Sequence, residues 1–159
     1  MNSERCIITP LSATDIEAAS AIFTNVETRR YLGGALHKED ALYRLLMWLN
    51  DDNSEYYCVY LKDCHDLIGM VYLTPYHDQT RFELSYEFLP QYWGKGFAYE
   101  VMSHMLTYCF IERAIQEVVA ETQTKNITSR RLLEKLGYQL EKEMVRFGEK
   151  QSVYVKRKP

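Results

Sequence analysis

The stretch Leu89–Met102, LPQYWGKGFAYEVM, places two glycines one residue apart between an apolar segment and a helical pattern. Glycine reaches backbone angles that other residues avoid, and the first amides of a helix attract anions. Upstream of the glycines, RFELSYEFL alternates like a strand. Downstream, apolar residues recur at helical spacing, at Val101, Met102, Met105, Leu106, Cys109 and Phe110. The stretch therefore predicts a strand, a phosphate-binding turn and a helix in succession.

The strand-like segment EVVAETQT follows this helix, so residues 81–124 predict a right-handed parallel βαβ unit. Before it, YYCVYLK, LIGMVYL and RFELSYEFL are separated by short polar turns, which is typical of an antiparallel meander. The predicted fold class is therefore α/β (α+β), with a mixed sheet. Ligands of such sheets bind at the carboxyl ends of parallel strands, where neighbouring connections diverge.

The remaining segments predict further strands and helices on both sides of this unit. RCIITPL predicts a first strand, and helices are expected over Asp15–Phe23, capped by Thr14, and over Lys38–Leu49. ITSRRLLEKLGY predicts a short helix ended by Gly137, and YQLEKEMVRF and SVYVKR predict two last strands around GEK. No repeat or linker divides the chain, so we expect one domain over residues 1–159.

Composition excludes several classes of function. A formal charge of −3 disfavours a bulk nucleic-acid binder, although backbone amides can still hold an anionic small ligand. The four cysteines and four histidines show no spacing for a metal site or a disulfide framework. Neither an apolar leader nor a membrane-spanning run is present in the sequence. We therefore expect a cytoplasmic protein with reduced thiols, no metal, and no membrane or nucleic-acid partner.

Three phosphate-binding patterns compete for the glycine turn. A dinucleotide fingerprint requires a small residue where Tyr99 stands, and a P-loop requires a GK[ST] sequence that is missing here. What remains is Gln91-x-x-Gly94-x-Gly96, followed by a helix. On these glycines alone, a turn that binds nothing is an equal alternative.

ELSYEFLPQYWGKGFAYE resembles the acetyl-CoA-binding motif of the GNAT acetyltransferase superfamily, whose general form is Q/R-x-x-G-x-G/A. NITSRRLLEKLGYQLE is similar to a second block of that family, and TPLSATD, VETRRYLGG and LIGMVYL look like further segments in the same order. The variant is similar to the branch of ribosomal-protein N-terminal acetyltransferases. This resemblance, which covers almost the whole chain, implies a strongly twisted mixed sheet with flanking helices and a V-shaped parallel strand pair.

The resemblance also implies how acetyl-CoA binds. The pantetheine arm is expected in the V, oriented by backbone groups near Phe88 and Leu89 that a strand bulge would free. The pyrophosphate is expected on the glycine turn, with phosphate charge met by Lys95 and by Arg130 or Arg131. The predicted cofactor contacts are Phe88, Leu89, Gln91, Tyr92, Trp93, Gly94, Lys95, Gly96, Phe97, Ala98, Asn126, Ser129 and Arg130.

Direct acetyl transfer to an amine requires a neutral amine, a donor for the oxyanion and a proton for the leaving thiolate. Glu83 and Glu87 lie on one strand face about 13 Å apart in regular geometry, too far for a glycosidase pair. Glu83 matches a glutamate of related enzymes and is the expected base, through water, while Glu87 ranks below it. Ser129 matches a serine that is proposed in the resembling branch to protonate or hydrogen-bond the thiolate, with a helix cap as the alternative role. Asn126 is the other candidate cap, and its amide is expected to meet the pantetheine.

The acceptor groove is expected from VETRRYLGGALHKED, the second helix and the hairpin RFGEKQ, which is shorter than in larger relatives. A protein N-terminal α-amine is the first substrate class by resemblance. A small amine (a polyamine or an antibiotic) and a non-catalytic acyl-CoA-binding module are the alternatives. We expect a monomer or a homodimer.

Overall fold

The computed structural model describes all residues, 1–159. Seven strands form one sheet: β1 Cys6–Pro10, β2 Glu55–Leu61, β3 Leu67–Pro75, β4 Phe82–Phe88, β5 Glu117–Gln123, β6 Gln139–Arg146 and β7 Glu149–Arg157. The helices are α1 Ile16–Phe23, α2 Lys38–Leu49, α3 Phe97–Thr107, which continues as a π-helical turn over Tyr108–Glu112, and α4 Ile127–Lys135. No helix has the length and hydropathy of a bilayer span.

The strands lie in the order β1-β2-β3-β4-β5-β7-β6, and every neighbouring pair is antiparallel except β4 and β5. The βαβ unit built by β4, α3 and β5 creates this one parallel pair, because the chain must cross over between them. The predicted mixed α/β sheet is confirmed.

Helices cover the two faces of the sheet unequally. Helices α3 and α4 pack on one face, where Met102 and Leu133 join the largest apolar cluster. Helices α1 and α2 pack on the other face, and their side chains meet Cys58 of β2 and Met70 of β3. A third cluster, around Tyr76, contains valines of β5 and β7 and no helical residue. On the face that carries α1 and α2, no helix therefore covers β5 and β7. Glu83 lies beside this uncovered part of the sheet.

Two local predictions were wrong in detail. Thr14 does not cap α1: the Asp15 carboxylate instead accepts the amide of Ser12 at 2.8 Å, across a short 3₁₀ turn that precedes the helix. The last strand begins at Glu149 instead of residue 152, since Phe147 and Gly148, with φ angles of 56° and 73°, form a two-residue turn. Such turns need left-handed backbone at both positions, for which phenylalanine is an unusual choice.

Candidate functional site: a fork in the sheet beside a glycine turn

Strands β4 and β5 form a fork in the middle of the sheet. Their parallel pairing is confined to Phe82↔Val118 and Glu83↔Val119. β4 continues to Phe88 beside β3, and β5 pairs with β7 along its whole length. The two strands therefore diverge beyond Glu83, and the fork opens at their carboxyl ends.

Backbone polar groups of β4 point into this fork. Leu89 donates its amide to the Ile68 carbonyl of β3 at 2.9 Å, so the alternation of an antiparallel ladder turns the amides of Tyr86 and Phe88 away from β3. The β3–β4 register has no shift, so the expected bulge is absent, and the divergence of β5 frees these groups instead. The Leu89 amide expected for pantetheine is already bonded, whereas the Phe88 amide faces the fork.

The glycine turn presents a row of free amides. None of the six consecutive amides from Gly94 to Tyr99 donates to an acceptor within the protein. Gly94 and Gly96 have φ angles of 70° and 81°, in the left-handed region that favours glycine. A Cβ atom added at Gly94 would meet nothing within 4 Å. Free amides at the start of α3, with open space beside them, fit a bound phosphate.

The cation that braces this turn is Arg5, which the sequence analysis did not identify. Its Nη1 donates to the Lys95 carbonyl at 3.0 Å, and its Nε donates to the Glu100 carboxylate in the first turn of α3 at 2.7 Å. The predicted Lys95 side chain bends back and donates to the Gln91 carbonyl at 2.8 Å. Arg5 also neutralises Glu100, whose negative charge would otherwise lie near a bound phosphate.

The Arg130 side chain donates hydrogen bonds to residues away from the glycine turn. Its guanidinium donates to the Tyr154 hydroxyl at 3.0 Å and to the Thr124 carbonyl at 3.3 Å, and the contact with Tyr154 raises the pKa of Arg130. None of these hydrogen bonds reaches the glycine turn. Arg131, the other candidate, is exposed on α4. The structure thus gives Arg130 a role in joining α4 to the sheet, and its predicted phosphate contact remains a prediction.

Ser129 lies at the start of α4, oriented by two partners. Asn126 caps this helix, because its side-chain oxygen accepts the Ser129 amide at 3.2 Å. The Ser129 hydroxyl is 2.7 Å from the hydroxyl of Tyr86, which projects from β4 on the face opposite Glu83. Burial raises the pKa of Tyr86 to about 12, so its hydroxyl stays protonated at neutral pH. The pair forms a protonated hydrogen-bonded unit at the fork.

Glu83 lies at the base of the fork, next to a second carboxylate. Burial first, and the charge of Glu121 second, raise the pKa of Glu83 to about 7, while the Glu121 amide, Arg146 and Ser85 oppose the shift. The side chain of Glu121 is only 6% exposed and accepts the Tyr76 hydroxyl at 2.9 Å, and the Nε of Arg146 lies 3.2 Å from it. A carboxyl group with this pKa is half ionised near neutral pH, which suits proton exchange.

Glu87 is a structural residue in spite of its place on the same strand face. It is buried, and one carboxylate oxygen accepts Arg29 at 2.8 Å while the other accepts the Tyr72 hydroxyl at 2.6 Å. With both oxygens occupied and no solvent access, it is poorly placed to take a proton from a substrate. Its lower rank as a base agrees with this geometry.

Three residues of the site were therefore missed: Arg5, Tyr86 and Glu121. Arg5 carries no local signal, since its partners lie 90 and 95 residues away. Tyr86 fits the apolar face of its strand, where its hydroxyl attracts no attention. Glu121 did carry a signal, because a charged residue interrupts EVVAETQT near the carboxyl end of a parallel strand. No group of three or more potential metal ligands occurs in the protein.

Residues 5–139 match the family model described as "Acetyltransferase (GNAT) domain". Among curated proteins, the chain is 29% identical over 149 residues to the uncharacterized N-acetyltransferase YoaA of Bacillus subtilis (strain 168), covering 89% of this chain and 83% of that protein. It is 26% identical over 141 residues to the uncharacterized N-acetyltransferase YnaD of the same organism, with the same shares covered.

Solved structures share the fold over nearly the whole chain. A GNAT-family acetyltransferase from Bacillus anthracis superposes with a TM-score of 0.88 at 23% identity, over 99% of this chain and 97% of that one. Spermidine N-acetyltransferase from Vibrio cholerae, in complex with CoA and spermine, superposes with a TM-score of 0.83 at 17% identity, over 96% and 95%.

Proposed function

This chain belongs to the GNAT acetyltransferase family and is an N-acetyltransferase, and we propose that its acceptor is a protein N-terminal α-amine. Membership of the family implies acetyl-CoA as the acetyl donor. The observation that carries the choice of acceptor is the carboxyl group of Glu83, enclosed beside Glu121 with a pKa of about 7. The resemblance to ribosomal-protein N-terminal acetyltransferases names a ribosomal protein as the first substrate to try.

The residues at the fork fit the donor. The free amides from Gly94 to Tyr99 are proposed to bind its pyrophosphate, and the fork amides of Tyr86 and Phe88 are proposed to hold its pantetheine arm. When bound, acetyl-CoA supplies an activated acetyl group on a thioester. Arg5 holds the turn in shape through the Lys95 carbonyl.

Glu83 is proposed to accept the proton of the acceptor ammonium, through water. An N-terminal α-amine has a pKa of about 8, so transfer to a carboxylate of pKa about 7 is unfavourable by only about 1.4 kcal/mol. A lysine or polyamine amine of pKa about 10.4 would cost about 4.6 kcal/mol for the same transfer. A base of this pKa therefore suffices for an α-amine, and the lone pair exposed on the amine is proposed to attack the donor directly.

On the opposite side of the fork, Ser129 and Tyr86 are proposed to serve the leaving sulfur. Tyr86 and Ser129 share a 2.7 Å hydrogen bond, and when the protonated Tyr86 donates it, the Ser129 hydroxyl is left to donate a hydrogen bond to the leaving sulfur. The cap made by Asn126 fixes Ser129 against this end of the fork.

A small polyamine is the second candidate acceptor. The observation that favours it is the pair of carboxylates, Glu83 and Glu121, matched by only one cation, Arg146. A site with this excess of negative charge attracts a polycation.

We further propose that the reaction occurs in the cytoplasm, which agrees with the four free cysteines.

Two measurements test the proposal in order. Acetyl-CoA is expected to raise the melting temperature while NADH and ATP do not, and no stabilisation would remove the donor assignment. Free-thiol release is then compared for a peptide with a free N-terminus, the same peptide N-terminally blocked with one free lysine, and spermidine. Turnover of the first alone is expected. Equal or faster turnover of spermidine would reverse the order of acceptors, and binding without turnover of any amine would favour an acyl-CoA-binding module.

A further inference from the structure

The loop between α1 and α2, residues 24–37, is attached to the end of β4 by two adjacent side chains. We refer to it as the acceptor loop. Arg29 is 6% exposed and donates to the Glu87 carboxylate at 2.8 Å, to the Leu32 carbonyl at 2.5 Å and to the Gly34 carbonyl at 3.2 Å. One buried guanidinium thus ties the loop to itself and to β4, which makes residues 29–34 a rigid unit.

Thr28, the residue before it, makes a second contact one position further along β4. Its hydroxyl donates to the Phe88 carbonyl at 3.1 Å. The same carbonyl oxygen accepts the indole Nε1 of Trp93 at 2.8 Å. Phe88 is the last residue of β4, and two hydrogen bonds use both lone pairs of its carbonyl oxygen. One donor belongs to the acceptor loop and the other to the glycine turn.

Trp93 connects the glycine turn to the Phe88 carbonyl, so a ligand bound at the turn would act on that carbonyl through Trp93. It immediately precedes the free amides that begin at Gly94, and its side chain is 49% exposed. Its indole Nε1 donates one hydrogen bond, to the Phe88 carbonyl. Anything that orders the glycine turn therefore orders Trp93, and with it the oxygen that Thr28 shares.

We propose that Thr28 is a positioning residue that couples occupancy of the glycine turn to the shape of the acceptor loop, through the Phe88 carbonyl. This inference rests on the coenzyme-binding role proposed above for the turn. Ordering of the turn fixes the Phe88 oxygen, and the Thr28 hydrogen bond passes that order to the rigid unit around Arg29. The donor, once bound, then further stabilises the loop that is proposed to recognise the acceptor.

Hydrogen–deuterium exchange with coenzyme A as the probe tests this without an acceptor. In the wild type, coenzyme A is expected to slow exchange both at residues 94–99 and, by about fivefold, in residues 24–37, the effect of one hydrogen bond. In Thr28→Val, protection at 94–99 is expected to persist while the added protection in 24–37 is lost. The acceptor KM should rise by a similar factor in Thr28→Val, with acetyl-CoA affinity unchanged.

Thr107→Val is the matched control, since Thr107 also donates its hydroxyl to a backbone carbonyl, that of Ser103 at 3.2 Å, but in α3 away from the loop. It should behave as the wild type. Protection of 94–99 without any protection of 24–37 in the wild type, or unchanged coupling in Thr28→Val, overturns the role of Thr28 alone. No protection at 94–99 overturns the coenzyme assignment of the turn as well.

Discussion

Replacing Glu83 by glutamine is expected to make the protein slower and more stable at the same time. The pKa of Glu83 is about 7 against an ordinary 4.5, and this gap corresponds to about 3 kcal/mol at 1.36 kcal/mol per pH unit. Because the folded-state pKa is the higher one, the folded protein binds more protons than the unfolded chain between these values. The resulting stability is fully present below about pH 4.5 and is lost as the pH rises through 7. A neutral glutamine avoids this loss, so Glu83→Gln should be more stable than the wild type by up to about 3 kcal/mol at pH 8, and equal to it at pH 4.

The rate should change in the opposite direction. Loss of a general base typically lowers the rate by about 10²- to 10⁴-fold. In the wild type, kcat/KM should rise with pH through an inflection near 7, the pKa of Glu83, and through a second one near 8 from an α-amine acceptor. Glu83→Gln should remove the first inflection and keep the second. Thiol release from acetyl-CoA, followed from pH 5.5 to 9 with a free N-terminal peptide, measures both.

Glu87→Gln is the control from the same strand face. It leaves the buried Arg29 guanidinium without its carboxylate partner, which typically costs about 3–5 kcal/mol. The free energy of unfolding of each variant is measured in urea at pH 4 and pH 8. At pH 8, Glu83→Gln should exceed the wild type in stability and Glu87→Gln should fall below it. A Glu83→Gln protein with wild-type rate and pH profile would place the base elsewhere, and one with no gain in stability at pH 8 would refute the raised pKa.

Three further substitutions test other parts of the site. Ser129→Ala and Tyr86→Phe should each lower kcat by about 10-fold or more while acetyl-CoA affinity is retained, because both break the 2.7 Å hydroxyl pair; full activity in either would remove that residue from the reaction. Gly94→Ala should destabilise the fold by about 1–2 kcal/mol through its φ of 70°, and should reduce the rise in melting temperature caused by acetyl-CoA. Phe147→Asn should stabilise the protein by about 1 kcal/mol in urea unfolding, since Phe147 is 82% exposed at a φ of 56° that asparagine tolerates better; a loss of stability would show that its ring packs usefully.

Most of the fold could be predicted because its signals are local. The alternation of RFELSYEFL, the two glycines and the helical stripe that follows specify β4, the turn and α3 within some 30 residues, and the parallel pairing follows from the length of the crossover. The two predictions that were wrong also depend on local sequence signals, but these signals are weak. The Phe147–Gly148 turn was missed since phenylalanine is rarely found at positive φ, and the 3₁₀ turn after Ser12 was missed because Thr14 is itself a good capping residue.

The site was harder to predict because the properties of its side chains depend on distant partners. Glu83 and Glu87 are the same residue type on the same face of one strand, four positions apart. The acceptor loop supplies Arg29 to Glu87 from 58 residues away, and the resulting ion pair makes that carboxylate a buried anchor. β5 supplies Glu121 to Glu83, and burial first and this like charge second raise the pKa of Glu83 to about 7. No property of the strand sequence itself separates the two glutamates, so the proposal of Glu83 as the base follows from which element the topology brings beside each one.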